Sequence, residues 1–275
     1  MRKFIAAAIQ VDSKDNKGQN LKNVVTFIEE AVSRGAKFIA MPEQMNYVGN
    51  DNFANSEEIP NGTTFKLMSD QAKKYKVWLH CGSIYEKNET DARPYNTTMI
   101  INPEGELVAK YRKLHMFDVD IKDGPSVRES DRVCPGSDII TVETNEIGHL
   151  GLSICYDIRF GELYRLMALK GAQIFLTPAD FVLNTGKDHW EPILRTRSIE
   201  NGCYTISPGQ CGVKPKFQAY GKSLIVDPWG NVIAKASDKP CVITAEIDLD
   251  YLDNVRKQVL TLENRRKDIY KLSQA

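Results

Sequence analysis

The sequence predicts an α/β protein of two stacked mixed sheets with helices on the outer faces. Three observations lead there. Apolar strand-like runs alternate with amphipathic helical patterns along most of the chain. Asn102-Pro103-Glu104-Gly105 and Asp227-Pro228-Trp229-Gly230 are turn sequences between strand-like runs, which mixes antiparallel hairpins into the alternation. The helices are also too few to cover so many strands, and two sheets that cover each other leave no face bare.

Residues 4–11 read as the first strand. Val24, Phe27, Ile28, Ala31 and Val32 form one helix face, closed by Gly35. A short buried strand over 37–41 stops at Pro42. Phe65, Met68, Ala72 and Tyr75 mark a second helix, 77–84 a third strand, and 96–101 with 106–113 a hairpin. The second half repeats the rhythm: strand 148–154, helix 160–170, strand 173–177, then a helix carrying Trp190, Ile193 and Leu194. Strand 203–207, a hairpin at 227–230 and a strand near 241–247 complete it. No low-complexity linker or residue-level repeat divides the chain, so 1–275 is expected to form a single domain. From about residue 251 onward Arg256, Lys257, Arg265, Arg266, Lys267 and Lys271 stand among few acids. That tail reads as a solvated helix or as an arm packed on a partner.

The 36 basic and 36 acidic residues cancel, which removes any broad attraction for nucleic acid or an anionic membrane. No apolar run has the length of a membrane span. The first nine residues resemble a short signal peptide, but Gln10 and Asp12 interrupt the apolar run and no small-residue cleavage pattern follows. Six cysteines, at 81, 134, 155, 203, 211 and 241, form no CxxC pair and no zinc-like cluster with the four histidines. Reduced thiols, no structural metal and a cytoplasmic location are the expectation.

Cys155 ends the apolar run 150–154, and a helical pattern begins within a few residues. Such a position would expose the thiol to unsatisfied N–H groups at a helix start and favour the thiolate; the alternative is a small buried core cysteine. Glu43 follows the apolar run 38–42, and Lys113 follows 107–112. Ligands of α/β proteins bind beyond the carboxyl ends of strands, so a carboxylate, an ammonium and a thiol could converge there. Each could equally be a strand-end residue meeting solvent. Together they would form an acyl-transfer site with Cys155 as nucleophile and Glu43 as proton carrier. Lys113 and the Tyr156 N–H would stabilise the oxyanion.

Met41-Pro42-Glu43, Lys110-Tyr111-Arg112-Lys113-Leu114-His115 and Ile154-Cys155-Tyr156-Asp157-Ile158-Arg159-Phe160 resemble the three signature segments of the nitrilase (carbon–nitrogen hydrolase) superfamily, in the same order. The resemblance runs from about residue 4 to 270. Residues 185–191, 195–200 and 226–230 are similar to the branch with omega-amidases and deaminated-glutathione amidases. The resemblance implies a four-layer αββα sandwich, a Glu43-Lys113-Cys155 catalytic set, no metal or organic cofactor, and a homodimer or higher oligomer. It also implies that Glu129 is a second catalytic glutamate near the lysine and the reacting carbonyl, and that Arg159 and Thr185 hold the far carboxylate of a dicarboxylate monoamide. Asp180 and Phe181 are expected in the same pocket.

Asp180 departs from the pattern, which has a small residue there. In the pocket it would repel a carboxylate or attract an ammonium; otherwise it is a cap or turn acid, or pairs with Arg159. Cys211 leans towards the deaminated-glutathione amidases. The function expected is therefore a thiol amidase acting on a small linear amide, foremost a dicarboxylate monoamide such as 2-oxoglutaramate or succinamate. Deaminated-glutathione amidase and N-carbamoyl amino-acid hydrolase are the alternatives within the class, and a catalytically silent binding scaffold the alternative outside it.

Overall fold

Alternate residues of the strands pack into different cores, and that sets the layers. The computed structural model describes residues 2–122, 124 and 126–274; Met1 and Ala275, the ends of the expected domain, lie outside them. Strand β1 (Lys3–Gln10), helix α1 (Lys17–Ser33), β2 (Ala36–Ala40) and α2 (Thr63–Tyr75) lead to β3 (Trp78–His80), β4 (Ile84–Glu86), β5 (Tyr95–Ile101) and β6 (Leu107–Arg112). Next come β7 (Asp118–Asp120), β8 (Ser126–Arg128), β9 (Thr141–Thr144), β10 (Gly148–Leu152), α3 (Gly161–Leu169), β11 (Ile174–Leu176) and α4 (Leu183–Asn201). The chain closes with β12 (Tyr204–Ser207), β13 (Cys211–Val213), β14 (Gln218–Tyr220), β15 (Leu224–Val226), β16 (Val232–Lys235), β17 (Cys241–Asp248) and α5 (Leu249–Gln258).

One sheet runs β17-β1-β2-β3-β5-β4 with β6 also on β5; the other runs β16-β15-β12-β11-β10-β9. Both are mixed: β1, β2 and β3 are parallel, as are β10, β11 and β12, with antiparallel strands outside them. Ala6, Ala8, Phe38 and Ala40 pack in one core with Leu150, Leu152, Ile174, Leu176 and Ile206 of the other sheet. Their sequence neighbours Ala7, Ile9 and Ile39 pack instead with Val24, Ile28 and Ala31 of α1 and Met68 and Ala72 of α2. Alternate residues thus face the second sheet or the helices. On the far side, α3 packs Leu163, Tyr164 and Met167 on Phe175. This is the αββα sandwich that the sequence predicts.

The predicted helices and hairpins are present. One expectation fails: 77–84 is two short strands, β3 and β4, which pair with opposite ends of β5. The break is at Gly82, whose φ is +48° and whose Cβ, were it present, would lie 1.9 Å from the Pro42 carbonyl oxygen. Only glycine allows that approach. The same crossing fixes the segment after β2, because Ser83 N–H donates to Pro42 O at 3.3 Å and Ser83 Oγ accepts Gln44 N–H at 3.0 Å. At the other end, Leu252 and Val255 anchor α5, while Val259, Leu260, Ile269 and Tyr270 beyond them are exposed.

Candidate active site

The carboxyl ends of the parallel strands of both sheets meet at one place. Glu43 follows β2, Cys155 follows β10 and Asp180 follows β11; Lys113 comes directly after β6. The Cys211 N–H donates to Val11 O, just past β1, at 2.9 Å, and the Gln210 N–H donates to Ala179 O, past β11, at 2.8 Å, so one segment spans strand ends of both sheets.

Glu43 and Lys113 are both 2% exposed. Glu43 Oε1 accepts hydrogen bonds from Asn96 Nδ2 at 2.8 Å and Lys113 Nζ at 3.1 Å, and Oε2 accepts the Asp180 backbone N–H at 2.7 Å. Lys113 Nζ also donates to Glu129, at 3.0 Å to Oε1 and 2.8 Å to Oε2. Burial alone would lower the Lys113 pKa, but Glu129 and Glu43 outweigh it and hold the ammonium well above its usual range. Glu129, ordinary in the sequence, is fixed by the Phe117 N–H donating to its Oε2 at 2.6 Å.

Cys155 is 6% exposed and has φ +49°, a left-handed conformation that for a non-glycine residue costs on the order of 1 kcal/mol or more. Its N–H donates to Pro178 O at 2.9 Å. Here the structure corrects an expectation. Cys155 opens a short 3₁₀ turn over Cys155–Arg159, and α3 starts only at Gly161, so the thiol does not stand at the start of α3. Burial, and then the charge of Glu43, push the thiol well above its ordinary value against the pull of Lys113. Cys155 is thus held as the thiol at rest. The Tyr156 N–H has no acceptor among the described residues and so remains able to donate.

Asp157 locks this turn. It is fully buried and accepts Ile154 N–H at 2.8 Å and Tyr111 Oη–H at 2.7 Å on Oδ2, and His115 N–H at 3.0 Å on Oδ1, which also lies 2.7 Å from His115 Nδ1. The cysteine segment and the lysine segment are therefore bound to one carboxylate. Although Asp157 lies in a signature segment, the sequence does not reveal its role. The same holds for Asn96 and for Gln210, whose Nε2 donates to Glu43 O at 3.0 Å.

A pocket of about 120 Å³ opens on Cys155, lined by Glu43, Lys113, Glu129, Tyr156, Asp180, Phe181 and Thr185 among others. Arg159 is not in its wall. Its guanidinium lies over the rings of Phe181 and Tyr156 at 5.4 and 5.6 Å, with Nη1 3.3 Å from His189 Nδ1. It pairs with neither Asp157 nor Glu162 nor Asp180. Among the described residues, no group of three or more His, Cys, Asp or Glu side chains is placed to hold a metal ion. No helix among them is long and apolar enough to cross a membrane.

The carbon-nitrogen hydrolase family model matches residues 5–257. The chain belongs to that family. It is 38% identical over 273 residues to the deaminated glutathione amidase of a Synechocystis strain, covering 96% of this chain and 99% of that protein. It is also 38% identical to the omega-amidase of Homo sapiens over 274 residues, covering 98% of each. The crystal structure of the C. elegans NitFhit protein superposes with a TM-score of 0.91 at 37% identity, over 99% of this chain and 67% of that one. Saccharomyces cerevisiae Nit3, a member of branch 10 of the nitrilase superfamily, gives 0.87 at 31% identity, over 97% of each chain. This carbon–nitrogen hydrolase is thus an enzyme of the nitrilase superfamily, a cysteine-nucleophile amidase of the omega-amidase and deaminated-glutathione amidase branch. The scaffold alternative is set aside.

Proposed function

We propose that the enzyme hydrolyses a small linear amide to a carboxylate and ammonia through a thioester on Cys155. The supporting observation is the placement of one buried ammonium, Lys113, between Glu43 and Glu129 and close to the thiol. Glu43 takes the thiol proton as Sγ bonds to the amide carbon. That transfer neutralises the carboxylate beside the forming sulfur centre, which suits a thiol whose ionisation Glu43 opposes at rest. The carbonyl oxygen gains the negative charge and lies with Lys113 Nζ and the Tyr156 N–H. Collapse breaks the C–N bond, and the nitrogen leaves as ammonia with the proton from Glu43. Water, deprotonated by Glu43, then attacks the thioester and releases the acid and the free thiol. Glu129 holds Lys113 in place.

For the substrate we propose the monoamide of a dicarboxylic acid, such as succinamate or 2-oxoglutaramate. The identity to a named omega-amidase supports it. Deaminated glutathione is the second reading, since the identity to a named amidase of that kind is the same. The exposed apolar residues after α5 support an arm that packs on a second copy in a homodimer. Ammonia release from succinamate, 2-oxoglutaramate, an N-carbamoyl amino acid and deaminated glutathione tests the reading. The highest kcat/KM is expected on one of the two dicarboxylate monoamides; a clear preference for deaminated glutathione would replace that substrate, and no ammonia from any would overturn the amidase.

A further inference from the structure

We propose that Asp180 is a specificity residue whose carboxylate receives an ammonium group on the acyl part of the amide. The proposal rests on the amidase reading and extends its substrates to amides that carry a protonated amine. Asp180 is 9% exposed, stands in the pocket wall, and its buried Oδ1 has no hydrogen-bond partner among the described residues. The buried Thr185 Oγ1, also in the wall, has none either. An ammonium has three donors and could serve both oxygens.

The buried cations already present do not fill this gap. Lys214, buried in the same wall, spends its three donors on Asp12 Oδ1 at 3.1 Å, Ser13 O at 3.1 Å and Gln210 Oε1 at 3.0 Å. Lys113 is taken up by Glu43 and Glu129. Arg159 is held at His189, outside the pocket. Arg132 and Lys216, also in the wall, are exposed, so the buried group left without a partner is the Asp180 carboxyl; Glu43 and Asp12 favour a cation beside it, while Lys214 and Lys113 oppose one. Burial pushes the Asp180 carboxyl up to about 7, against the pull of Lys214. An ammonium seated beside it would restore the ionised form.

The test compares 4-aminobutyramide, butyramide and succinamate with the wild type, Asp180→Ala and the isosteric Asp180→Asn, by ammonia release. The wild type should prefer 4-aminobutyramide over butyramide, and the kcat/KM ratio of the two should fall by about tenfold or more in both variants. A ratio that both variants leave unchanged overturns the proposal. So does a wild-type preference for succinamate that Asp180→Ala abolishes, which would make Asp180 a donor to a carboxylate. If no amide releases ammonia, the amidase reading fails on its own, and calorimetry of 4-aminobutyramide binding decides the subsite. Weaker binding to Asp180→Asn supports it, and equal binding overturns it.

Discussion

Glu43 Oε2 accepts the Asp180 backbone N–H at 2.7 Å, which joins the strand end that carries the proposed proton acceptor to the wall of the pocket. With Asn96 and Lys113 donating to Oε1, the carboxylate is oriented from both sides. Glu43→Gln cannot accept at both positions and cannot carry a proton. Turnover should fall by about a thousandfold or more, with the dissociation constant for substrate less affected. A variant retaining a tenth of the wild-type kcat would remove Glu43 from the proton transfers.

The raised thiol pKa predicts how Cys155 reacts at rest. Alkylation by iodoacetamide without substrate should be slow at pH 7 and should speed up towards pH 9 without a plateau, because burial and Glu43 keep the thiolate scarce. Peptide mass spectrometry locates the label. A plateau below pH 8 would show a thiolate already formed. Cys155→Ala should abolish turnover, and the wild type alone should show a substrate-sized acyl adduct on intact-protein mass spectra.

Lys113→Met removes the cation between Glu43 and Glu129. In the proposed mechanism the charge that it stabilises develops in the transition state, so kcat should drop by roughly 100- to 1,000-fold or more while KM changes less. Steady-state kinetics decide it. A loss confined to KM would make Lys113 a ground-state anchor.

Much of this was legible in the sequence because strand ends follow from apolar runs. Glu43, Lys113 and Cys155 each stand after such a run, and the three do converge. What was not legible depends on contacts between distant segments. The partners of Asp157 lie at Tyr111 and His115, and those of Glu43 at Asn96 and Asp180. The break of 77–84 at Gly82 depends on how closely the Pro42 carbonyl approaches, which composition cannot reveal. The thiol was misjudged for a similar reason: the pattern placed a helix start close behind Cys155, whereas a 3₁₀ turn intervenes and burial dominates.

Asp157→Asn tests a positioning role. A neutral amide accepts less strongly than the carboxylate and turns an N–H towards donors at Ile154, Tyr111 or His115. Thermal unfolding should show a loss of about 2 kcal/mol or more. At temperatures where the variant is folded, kcat should fall more than KM rises, because the Cys155 turn is no longer fixed relative to Lys113. Unchanged kcat in a folded variant would limit Asp157 to stability.

Asp180 should also leave a mark on stability against pH. Its carboxyl is held at about 7 chiefly by burial; Lys214 and Lys113 oppose the shift, and Glu43 and Asp12 add to it. The unfolded chain should titrate near the ordinary value of about 3.9. Between those two values the unfolded state has lost the proton and the folded state keeps it, so the folded protein binds more protons and loses stability as pH rises. The penalty is absent below about pH 4, grows through pH 4–7 and is complete above pH 7. Asp180→Asn has no such proton to lose. Its melting temperature should exceed that of the wild type at pH 8, by an advantage of on the order of 1–3 kcal/mol, and the difference should shrink towards pH 5. Differential scanning calorimetry at the two pH values measures it. A variant less stable than the wild type at pH 8 would mean that the carboxylate has found a partner in the free enzyme, and the case for a vacant ammonium subsite would fall with it.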